Sequence, residues 1–220
     1  MARDSALLAA LQAGAIPPTL RVYQWASPAL TYGMNQQLPP RLVDTCTALG
    51  IPMFRRPTGG KAVLHGHDLT VALVFQIPAP QARGEGFHRP YPRQVYQLLA
   101  PALIEAFAQV GVPATQGTAS APDPRGMDDG GDCFATPAIA DIVHVGTGVK
   151  IMGCALLVRG ACVLMQASIP LRLPEVPVER LFGHPHPTPP PMDADTLTDA
   201  LYRTLTRVIA TPASAIKAAP

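Results

Sequence analysis

Proline and glycine occupy a fifth of this chain, and they limit how long any helix or strand in it can be. The 220 residues include 26 prolines and 18 glycines, which together make 44 residues. Because proline lacks a backbone N–H and both residues punctuate regular structure, the elements must be short and frequently interrupted. The pattern therefore disfavours a bundle of long helices.

Composition narrows the class of protein further. Hydrophobic residues make up 48% of the chain, which argues against disorder, and no apolar run approaches the ~20 residues of a membrane helix. The net charge is +2, so bulk charge gives no indication of nucleic-acid binding. Residues 1–11 lack the pattern of a secretory signal. We therefore expect a cytoplasmic protein that binds neither a membrane nor nucleic acid.

Periodic apolar residues predict four helical regions and several short strands. The helices are expected over residues 5–13, 40–49, 95–110 and from Asp193 or Asp195 onward. Pro101 predicts a kink in the third region or its division into two helices. The strands are expected over 20–25, 53–56, 62–65 and 69–77, followed by a hairpin of 149–157 and 161–169 and a proline-rich connector over 170–192.

The order of these elements predicts an α+β fold. Helices alternate irregularly with strands of antiparallel type, so we expect mixed, mainly antiparallel β-sheets flanked by α-helices, with the helices on one side of the sheet. The strands over 53–56, 62–65 and 69–77 are expected to share one sheet. Residues 115–131 are polar and glycine-rich and predict a loop.

The segment RRPTGGKAVLHGHD, residues 55–68, is the first candidate for a binding site. Its glycines allow a ligand to approach the backbone closely, and its cations suit a carbonyl, carboxylate or phosphate group. The segment fits neither of the common glycine-rich phosphate motifs, and a hairpin turn with solvated basic residues is the alternative.

The four cysteines stand at positions 46, 133, 154 and 162 without a C-x-x-C pair, which favours free thiols. Three of them are interpreted as packing residues, whereas Cys133 lies among polar neighbours and is expected to be accessible. A lysine held close to Cys133 would favour the thiolate and raise its reactivity. Lys150, in the segment KIMGCA, is the lysine considered for this role.

Other polar clusters give weaker indications. The aspartates at 123, 128, 129 and 132 lack the ligand alternation of a calcium loop, and they are interpreted as solvated. His65 and His67 have no third zinc ligand, so no metal is predicted, and His65 is expected to line a pocket. His184 and His186 belong to the proline-rich connector and are expected to be exposed.

Together these segments resemble the catalytic domain shared by lipoate-protein ligases, octanoyltransferases and biotin-protein ligases. Residues 55–65 resemble the family's R-R-x-[ST]-G-G-G-A-V-x-H loop, with Lys61 in place of the third glycine. Residues 150–155 resemble its K-[IV]-x-G-[ST]-A segment, with Cys154 where serine is usual. Residues 132–137, DCFATP, resemble the C-F-x-x-P-S segment of cysteine-dependent octanoyltransferases.

The resemblance implies a fold like that of biotin ligases and class II aminoacyl-tRNA synthetases. Residues 1–171 would form the catalytic domain. Residues 172–220 would supply a proline-rich connector and a C-terminal helix that packs on the same domain.

The resemblance also implies an activity. Cys133 would take an octanoyl group from acyl carrier protein as a thioester. It would pass the group to a lysine of a lipoyl domain of a 2-oxoacid dehydrogenase or of glycine cleavage H protein. Lys150 would lower the thiol pKa, and no cofactor would be needed. The residues implied to bind substrate are Arg56, Thr58, Gly59, Gly60, Lys61, Ala62, Val63, Leu64, His65, Gly153, Cys154 and Ala155.

Two alternatives stay open on sequence alone. An ATP-dependent lipoate-protein ligase would use ATP and Mg²⁺ to form an acyl-adenylate and would not need Cys133. A degenerate acyl-binding module without catalysis is suggested by Gln166-Ala167, which stand where relatives commonly have His-Gly. Gln166 cannot titrate, so any proton transfer by that histidine would be lost.

Overall fold

The computed structural model describes residues 1–77, 92–118 and 131–210. Its helices are α1 (Ala2–Gln12), α2 (Pro40–Ala48), α3 (Pro92–Gln109), α4 (Val178–Phe182) and α5 (Ala194–Ala210). Its strands are β1 (Thr19–Gln24), β2 (Ala29–Tyr32), β3 (Met53–Arg55), β4 (Val63–His65), β5 (Asp68–Gln76), β6 (Ala114–Gln116), β7 (Ile142–His144), β8 (Lys150–Arg159) and β9 (Cys162–Pro170). No helix within these three ranges is long and apolar enough to cross a membrane.

The described strands form two sheets. Six strands pair in the order β1-β5-β9-β8-β7-β6, and all five of these pairings are antiparallel. Three strands pair in the order β3-β2-β4, where β2 and β3 are parallel. The prediction of an α+β fold with mixed, mainly antiparallel sheets is confirmed.

The hairpin of β8 and β9 places the KIMGCA segment in the middle of the large sheet. Its strands pair from Arg159 opposite Cys162 to Gly153 opposite Ser168. Gly160 closes the turn at φ +60°, a backbone conformation that glycine adopts without strain. The prediction of this hairpin is confirmed, and Lys150 lies at the first position of β8.

Helices cover both faces of the large sheet, so the prediction that they lie on one side is wrong. On one face, α3 and α5 pack over Leu69, Val71, Leu73 and Phe75 of β5. On the other face, Leu8 and Leu11 of α1 pack with Ala72 and Val74. Because β5 is buried on both sides, its sequence is a continuous apolar run rather than an alternation.

The three strands that were expected to share one sheet are divided between the two sheets. The chain leaves the small sheet at His65 and enters the large sheet at Asp68. Gly66 makes this passage at φ +112°, and a Cβ atom there would lie 3.1 Å from Cα of Pro28. A second core lies under the small sheet, where Leu30 and Leu64 pack with residues of α2 and α4.

The helices differ from prediction in detail. Helix α3 runs continuously through Pro101, which lies on its exposed side, so the alternative of two helices is wrong. Helix α5 packs against α3, and Oδ1 of Asp193 accepts the amide N–H of Thr196 at 2.8 Å as its N-terminal cap. The sequence patterns missed β2, β6, β7 and α4. The expected loop over 115–131 lies largely outside the described residues.

Candidate active site

The glycine-rich loop after β3 is held by one buried arginine. Nη2 of Arg56 donates to the carbonyl oxygens of Gly59 at 3.0 Å and Lys61 at 2.8 Å. Gly33, at the end of β2, lies so close that a Cβ atom there would collide with the carbonyl oxygen of Gly60. The loop is therefore a packed, hydrogen-bonded structure and not the solvated turn considered as the alternative.

A buried polar chain fixes this arginine in turn. Nη1 of Arg56 donates to Oγ1 of Thr31 at 2.8 Å, and Nε2 of His65 lies 2.8 Å from the same oxygen. Nδ1 of His65 lies 2.7 Å from Oδ2 of Asp68. Because an ionised carboxylate only accepts, His65 carries a proton on Nδ1 and donates it to Asp68. His65 thus positions the loop through Thr31 and Arg56.

The loop also holds the backbone of the segment around Cys133. The amide of Ala62 donates to the carbonyl of Gly131, and the amide of Cys133 donates to the carbonyl of Ala62, both at 2.8 Å. These bonds form a short parallel bridge between Ala62 and Asp132. Two segments that lie 70 residues apart in the chain, at positions 62 and 132, are therefore joined directly.

Cys133, Lys150 and Asp141 form the centre of the site. Nζ of Lys150 lies 3.2 Å from Sγ of Cys133, 2.6 Å from its carbonyl oxygen and 2.8 Å from Oδ2 of Asp141. An ammonium group has three N–H donors, so these contacts use all of them. Lys150 and Asp141 are buried, and Cys133 is half-buried.

Gly153 provides the space in which this pair meets. A Cβ atom at position 153 would lie 3.0 Å from Cε of Lys150, 3.1 Å from Sγ of Cys133 and 3.3 Å from Nζ of Lys150. A side chain at position 153 would therefore crowd the Cys133–Lys150 pair, which explains why the KIMGCA segment has glycine there.

The balance of charge and burial decides the protonation of the pair. Burial raises the pKa of the Cys133 thiol, Lys150 lowers it and Asp141 raises it, with a net upward shift. Burial alone lowers the pKa of Lys150, but Cys133 and Asp141 raise it above its usual value, so Lys150 is an ammonium at neutral pH. Lys150 thus lowers the thiol pKa, as predicted, but burial and Asp141 outweigh it, so the net shift is upward and the thiol is not held ionised.

Comparison with known proteins identifies the family of the chain. Residues 1–188 match the model of the lipoyl protein ligase A/B catalytic domain. The chain belongs to this family. The family assignment made from the glycine-rich loop and the KIMGCA segment is confirmed.

Curated members of the family include similar proteins named octanoyltransferase LipM. The one from Oceanobacillus iheyensis is 33% identical over 183 residues, which cover 83% of this chain and 62% of the relative. The one from Symbiobacterium thermophilum is 31% identical over 202 residues, which cover 83% of this chain and 69% of the relative. The chain thus spans about three fifths to two thirds of the length of these relatives.

Solved structures of the family show the same fold. A lipoate protein ligase from T. acidophilum with bound lipoic acid superimposes with a TM-score of 0.65 at 18% identity, covering 96% of this chain and 82% of the other. A lipoate-protein ligase A bound with ATP superimposes with a TM-score of 0.67 at 20% identity, covering 94% and 78%. At these identities the likeness concerns the fold alone.

Gln166 of β9 joins three parts of the molecule. Its Oε1 accepts the hydroxyl of Thr58 at 2.9 Å, and its Nε2 donates to Oδ2 of Asp4 at 2.7 Å. Asp4 lies on α1 and also pairs with Arg21 at 2.7 Å. Thr58 and Gln166 are therefore hydrogen-bonded to each other, and they tie the glycine-rich loop to β9 and α1.

Not every residue implied by the family motifs faces Cys133. Ala62 and Leu64 pack into the second core with α2 and α4, which gives both a structural role. Val63 is buried, and Lys61 has an exposed side chain. The amide of Cys154 lies 3.4 Å from Oδ1 of Asp141, to which it donates. Substrate contacts by these residues and by Gly59, Gly60 and Ala155 stay predictions.

Two cavities border the site. One, of about 380 Å³, is an open cleft between α1 and the glycine-rich loop, lined by Met1, Ala2, Ser5, Met34, Arg55, Arg56 and Pro57. The other, of about 10 Å³, lies beside Lys150 and Phe134 under the connector. The smaller cavity has room for about one water molecule, whereas the larger falls within the range of about 300–1,000 Å³ typical of small-molecule pockets.

Two polar residues of the site and one histidine differ from what the sequence predicts. Nothing in the motifs pointed to Asp141 as the partner of Lys150, and Asp132 was interpreted as solvated although it is fully buried. His186 was expected to be exposed, but its side chain is 5% exposed and lies 2.8 Å from Asp132. A proline-rich segment predicts an extended backbone, but it does not indicate what that backbone packs against.

Proposed function

We propose that this protein is a cysteine-dependent octanoyltransferase of protein lipoylation. Cys133 takes an octanoyl group from acyl carrier protein, holds it as a thioester and passes it to a lysine of a lipoyl domain. The similarity to proteins named octanoyltransferase LipM supports this activity. The observation that carries it is the Lys150 ammonium 3.2 Å from Sγ of Cys133.

The first half-reaction exchanges one thioester for another. Sγ of Cys133 attacks the acyl carbonyl, a C–S bond to the enzyme forms, and the bond to the carrier's thiol breaks. The proton of the Cys133 thiol ends on the departing thiol, so no external acid or base is consumed. Lys150 stabilises the developing thiolate electrostatically, and Arg56 adds a second positive charge that lowers the pKa of Cys133.

Acylation changes what Lys150 can do. In the free enzyme its three donors are used by Cys133 and Asp141. The sulfur of a thioester shares a lone pair with the acyl carbonyl and therefore accepts a hydrogen bond weakly. The N–H that pointed at Sγ then becomes available to the acyl oxygen, where negative charge develops in the second transition state.

The second half-reaction forms the amide. The neutral amine of the acceptor lysine attacks the thioester carbonyl, a C–N bond forms, and the C–S bond to Cys133 breaks. The amine loses a proton to the leaving sulfur, which regenerates the Cys133 thiol. The net reaction needs no ATP, metal or redox cofactor.

We place the acyl chain in the open cleft between α1 and the glycine-rich loop. Met1, Ala2, Met34 and Pro57 give this cleft apolar walls, and Arg56 borders it while acting on Cys133. At about 0.8 kcal/mol per buried methylene, an eight-carbon chain gains on the order of 5 kcal/mol there, which favours a medium chain over a short one.

The proposed partners follow from the two half-reactions. The donor is octanoyl acyl carrier protein, and the acceptors are lipoyl domains of 2-oxoacid dehydrogenases or glycine cleavage H protein. A structural neighbour in the family is described with its E2 lipoyl domain, which supports this acceptor class. We place the reaction in the cytoplasm.

The test uses the purified chain, octanoyl acyl carrier protein and no ATP. We expect a covalent octanoyl adduct on Cys133 by mass spectrometry and its transfer to an added lipoyl domain, with neither in Cys133→Ala. Cys46→Ala, which removes a buried thiol from the core under the small sheet, is the matched control. Strict dependence on ATP with full activity in Cys133→Ala would favour the ligase. Binding of the carrier without any adduct would favour a module without catalysis.

A further inference from the structure

The connector that follows β9 returns to the nucleophile segment. It passes through α4 and then the run HPHPTPPP over residues 184–191. A residue before proline favours an extended backbone, and side chains two apart along an extended chain lie on the same side. His184 and His186 are two apart and each precedes a proline, so the sequence presents both imidazoles in one direction.

Both imidazoles meet the carboxylate of Asp132. Nε2 of His186 lies 2.8 Å and Nε2 of His184 lies 3.4 Å from Oδ2 of Asp132. Because an ionised carboxylate accepts only, His186 carries its proton on Nε2 and donates it. His186 is the stronger contact, since it is closer and its side chain is 5% exposed against 29% for His184.

Asp132 links His186 to the segment that contains Cys133. Its Oδ1 accepts the amide N–H of Phe134 at 3.0 Å, so one carboxylate spans Cys133 from the residue before it to the residue after it. The ring of Phe134 lies 5.2 Å from Nζ of Lys150 and 6.0 Å from the ring of His186. The backbone bonds of Ala62 to Gly131 and Cys133 hold the same segment.

The surroundings of His186 make it a fixed part of the structure. Its ring stacks on Phe182 of α4 with centroids 5.9 Å apart and planes inclined by 13°. It also lies 6.3 Å from the ring of His67. Within the described residues, no three His, Cys, Asp or Glu side chains are arranged so that they could hold a metal ion. The direct contact of His186 with the nucleophile segment is its hydrogen bond to Asp132.

We propose that His186 is a positioning residue for the nucleophile, so that the proline-rich connector is a working part of the active site. By holding Asp132, it fixes the turn from Asp132 to Phe134 and with it the carbonyl and sulfur of Cys133 that Lys150 contacts. The inference rests on the proposed role of Cys133 as nucleophile. Proline restricts the unfolded chain, so the connector loses less entropy when it docks.

The test compares two replacements of one residue. His186→Phe keeps a ring that can stack on Phe182 and removes the N–H donor, whereas His186→Gln keeps an N–H at a similar reach. His144→Phe makes the same chemical change at β7, away from Asp132. We would measure kcat and KM for octanoyl transfer, the rate of Cys133 alkylation by iodoacetamide, and the midpoint of thermal unfolding.

We expect His186→Phe to lower kcat about tenfold or more with little change in KM, since small misplacements of reacting groups are costly. Its alkylation rate should change by a similar factor, and His186→Gln should return both values to within about threefold of the parent. Unchanged alkylation and kcat in His186→Phe would overturn the inference. Equal losses in the Phe and Gln variants with lowered unfolding midpoints would also overturn it, because they indicate only structural support.

Alkylation separates this inference from the proposed function. If the parent protein transfers no octanoyl group, the proposed function fails. The iodoacetamide rates of the parent, Phe and Gln variants still report whether His186 positions the Cys133 sulfur.

Discussion

A Cβ atom at Gly153 would lie 3.1 Å from Sγ of Cys133, so the sulfur lies against a backbone position of β8 that carries no side chain. The atoms that would be displaced belong to the ends of the Cys133 and Lys150 side chains, not to the backbone. A side chain at position 153 would therefore disturb the contact between Cys133 and Lys150 while leaving the backbone of the sheet in place.

Replacing Gly153 by alanine should disable the site without unfolding the protein. The new methyl group pushes Lys150 and Cys133 apart, and misplacement by about 1 Å can cost roughly 100-fold in rate. We expect octanoyl transfer to fall about 10- to 100-fold and the thermal midpoint to stay within a few degrees. Gly146→Ala, where a Cβ atom lies 3.4 Å from the His144 ring, is the matched control. Full activity in Gly153→Ala would show that the contact is not critical.

The Lys150 and Asp141 charges should move the titration of Cys133 in opposite directions. Lys150 lowers the thiol pKa and Asp141 raises it. Lys150→Met should therefore shift the pH profile of Cys133 alkylation to higher pH, and Asp141→Asn should shift it to lower pH. Asp44→Asn, at an exposed position of α2, controls for the change in net charge. Shifts in the same direction for both variants would contradict this assignment.

Both of these replacements also carry a stability cost. Breaking a buried ion pair by removing one partner typically costs roughly 3–5 kcal/mol. Alkylation rates should accordingly be taken from the folded fraction, checked by unfolding in urea at each pH.

His67 should make the protein less stable as the pH falls below 6.5. Burial lowers the pKa of His67 from 6.5 to about 4, and although Asp68 opposes this shift, it does not cancel it. Above pH 6.5 both states are neutral and the residue contributes nothing. Between pH 6.5 and 4 the unfolded state binds the extra proton, so stability is lost, by about 2 kcal/mol at pH 5.

The measurement compares unfolding free energies in urea at pH 7.5 and pH 5. His67→Gln has no titrating group and should lose less stability over this interval than the parent. His144→Gln, on the more exposed strand β7, should behave like the parent. An equal pH dependence in His67→Gln and the parent would show that His67 titrates normally in the folded state.

Replacing Gln166 by a charged residue should lower the free energy of unfolding. Gln166→Leu removes the partners of Thr58 and Asp4 and should cost roughly 1–3 kcal/mol of unfolding free energy, as expected for unsatisfied buried polar groups. Gln166→Glu is closer in shape but places a carboxylate against Oδ2 of Asp4, which is 2.7 Å from Nε2 of Gln166. We expect it to destabilise more than leucine does at neutral pH.

Gln97→Glu, at an exposed position of α3, serves as the matched control for this change. A Gln166→Glu protein as stable as the parent at pH 7 would contradict the hydrogen-bond network assigned to α1, β9 and the glycine-rich loop.

The sequence by itself determined the family and the fold class, and it pointed to two of the three residues at the centre of the site. The glycine-rich loop and the KIMGCA segment are local motifs, and they are recognisable because their residues are contiguous. The β8–β9 hairpin was predictable for the same reason, since its strands are joined by a short turn containing Gly160. Cys133 and Lys150 were singled out by residue type and by resemblance.

Only the tertiary structure decided which distant groups act on them. Asp141 meets Lys150 because β7 and β8 pair with a shifted register, and His186 meets Asp132 because the connector folds back over the site. The placement of helices on both faces of the sheet likewise depends on packing between segments far apart in the chain. The pKa of Cys133 is raised mainly because burial removes water from around the sulfur. This desolvation depends on every residue packed around the sulfur, so a local motif does not predict it.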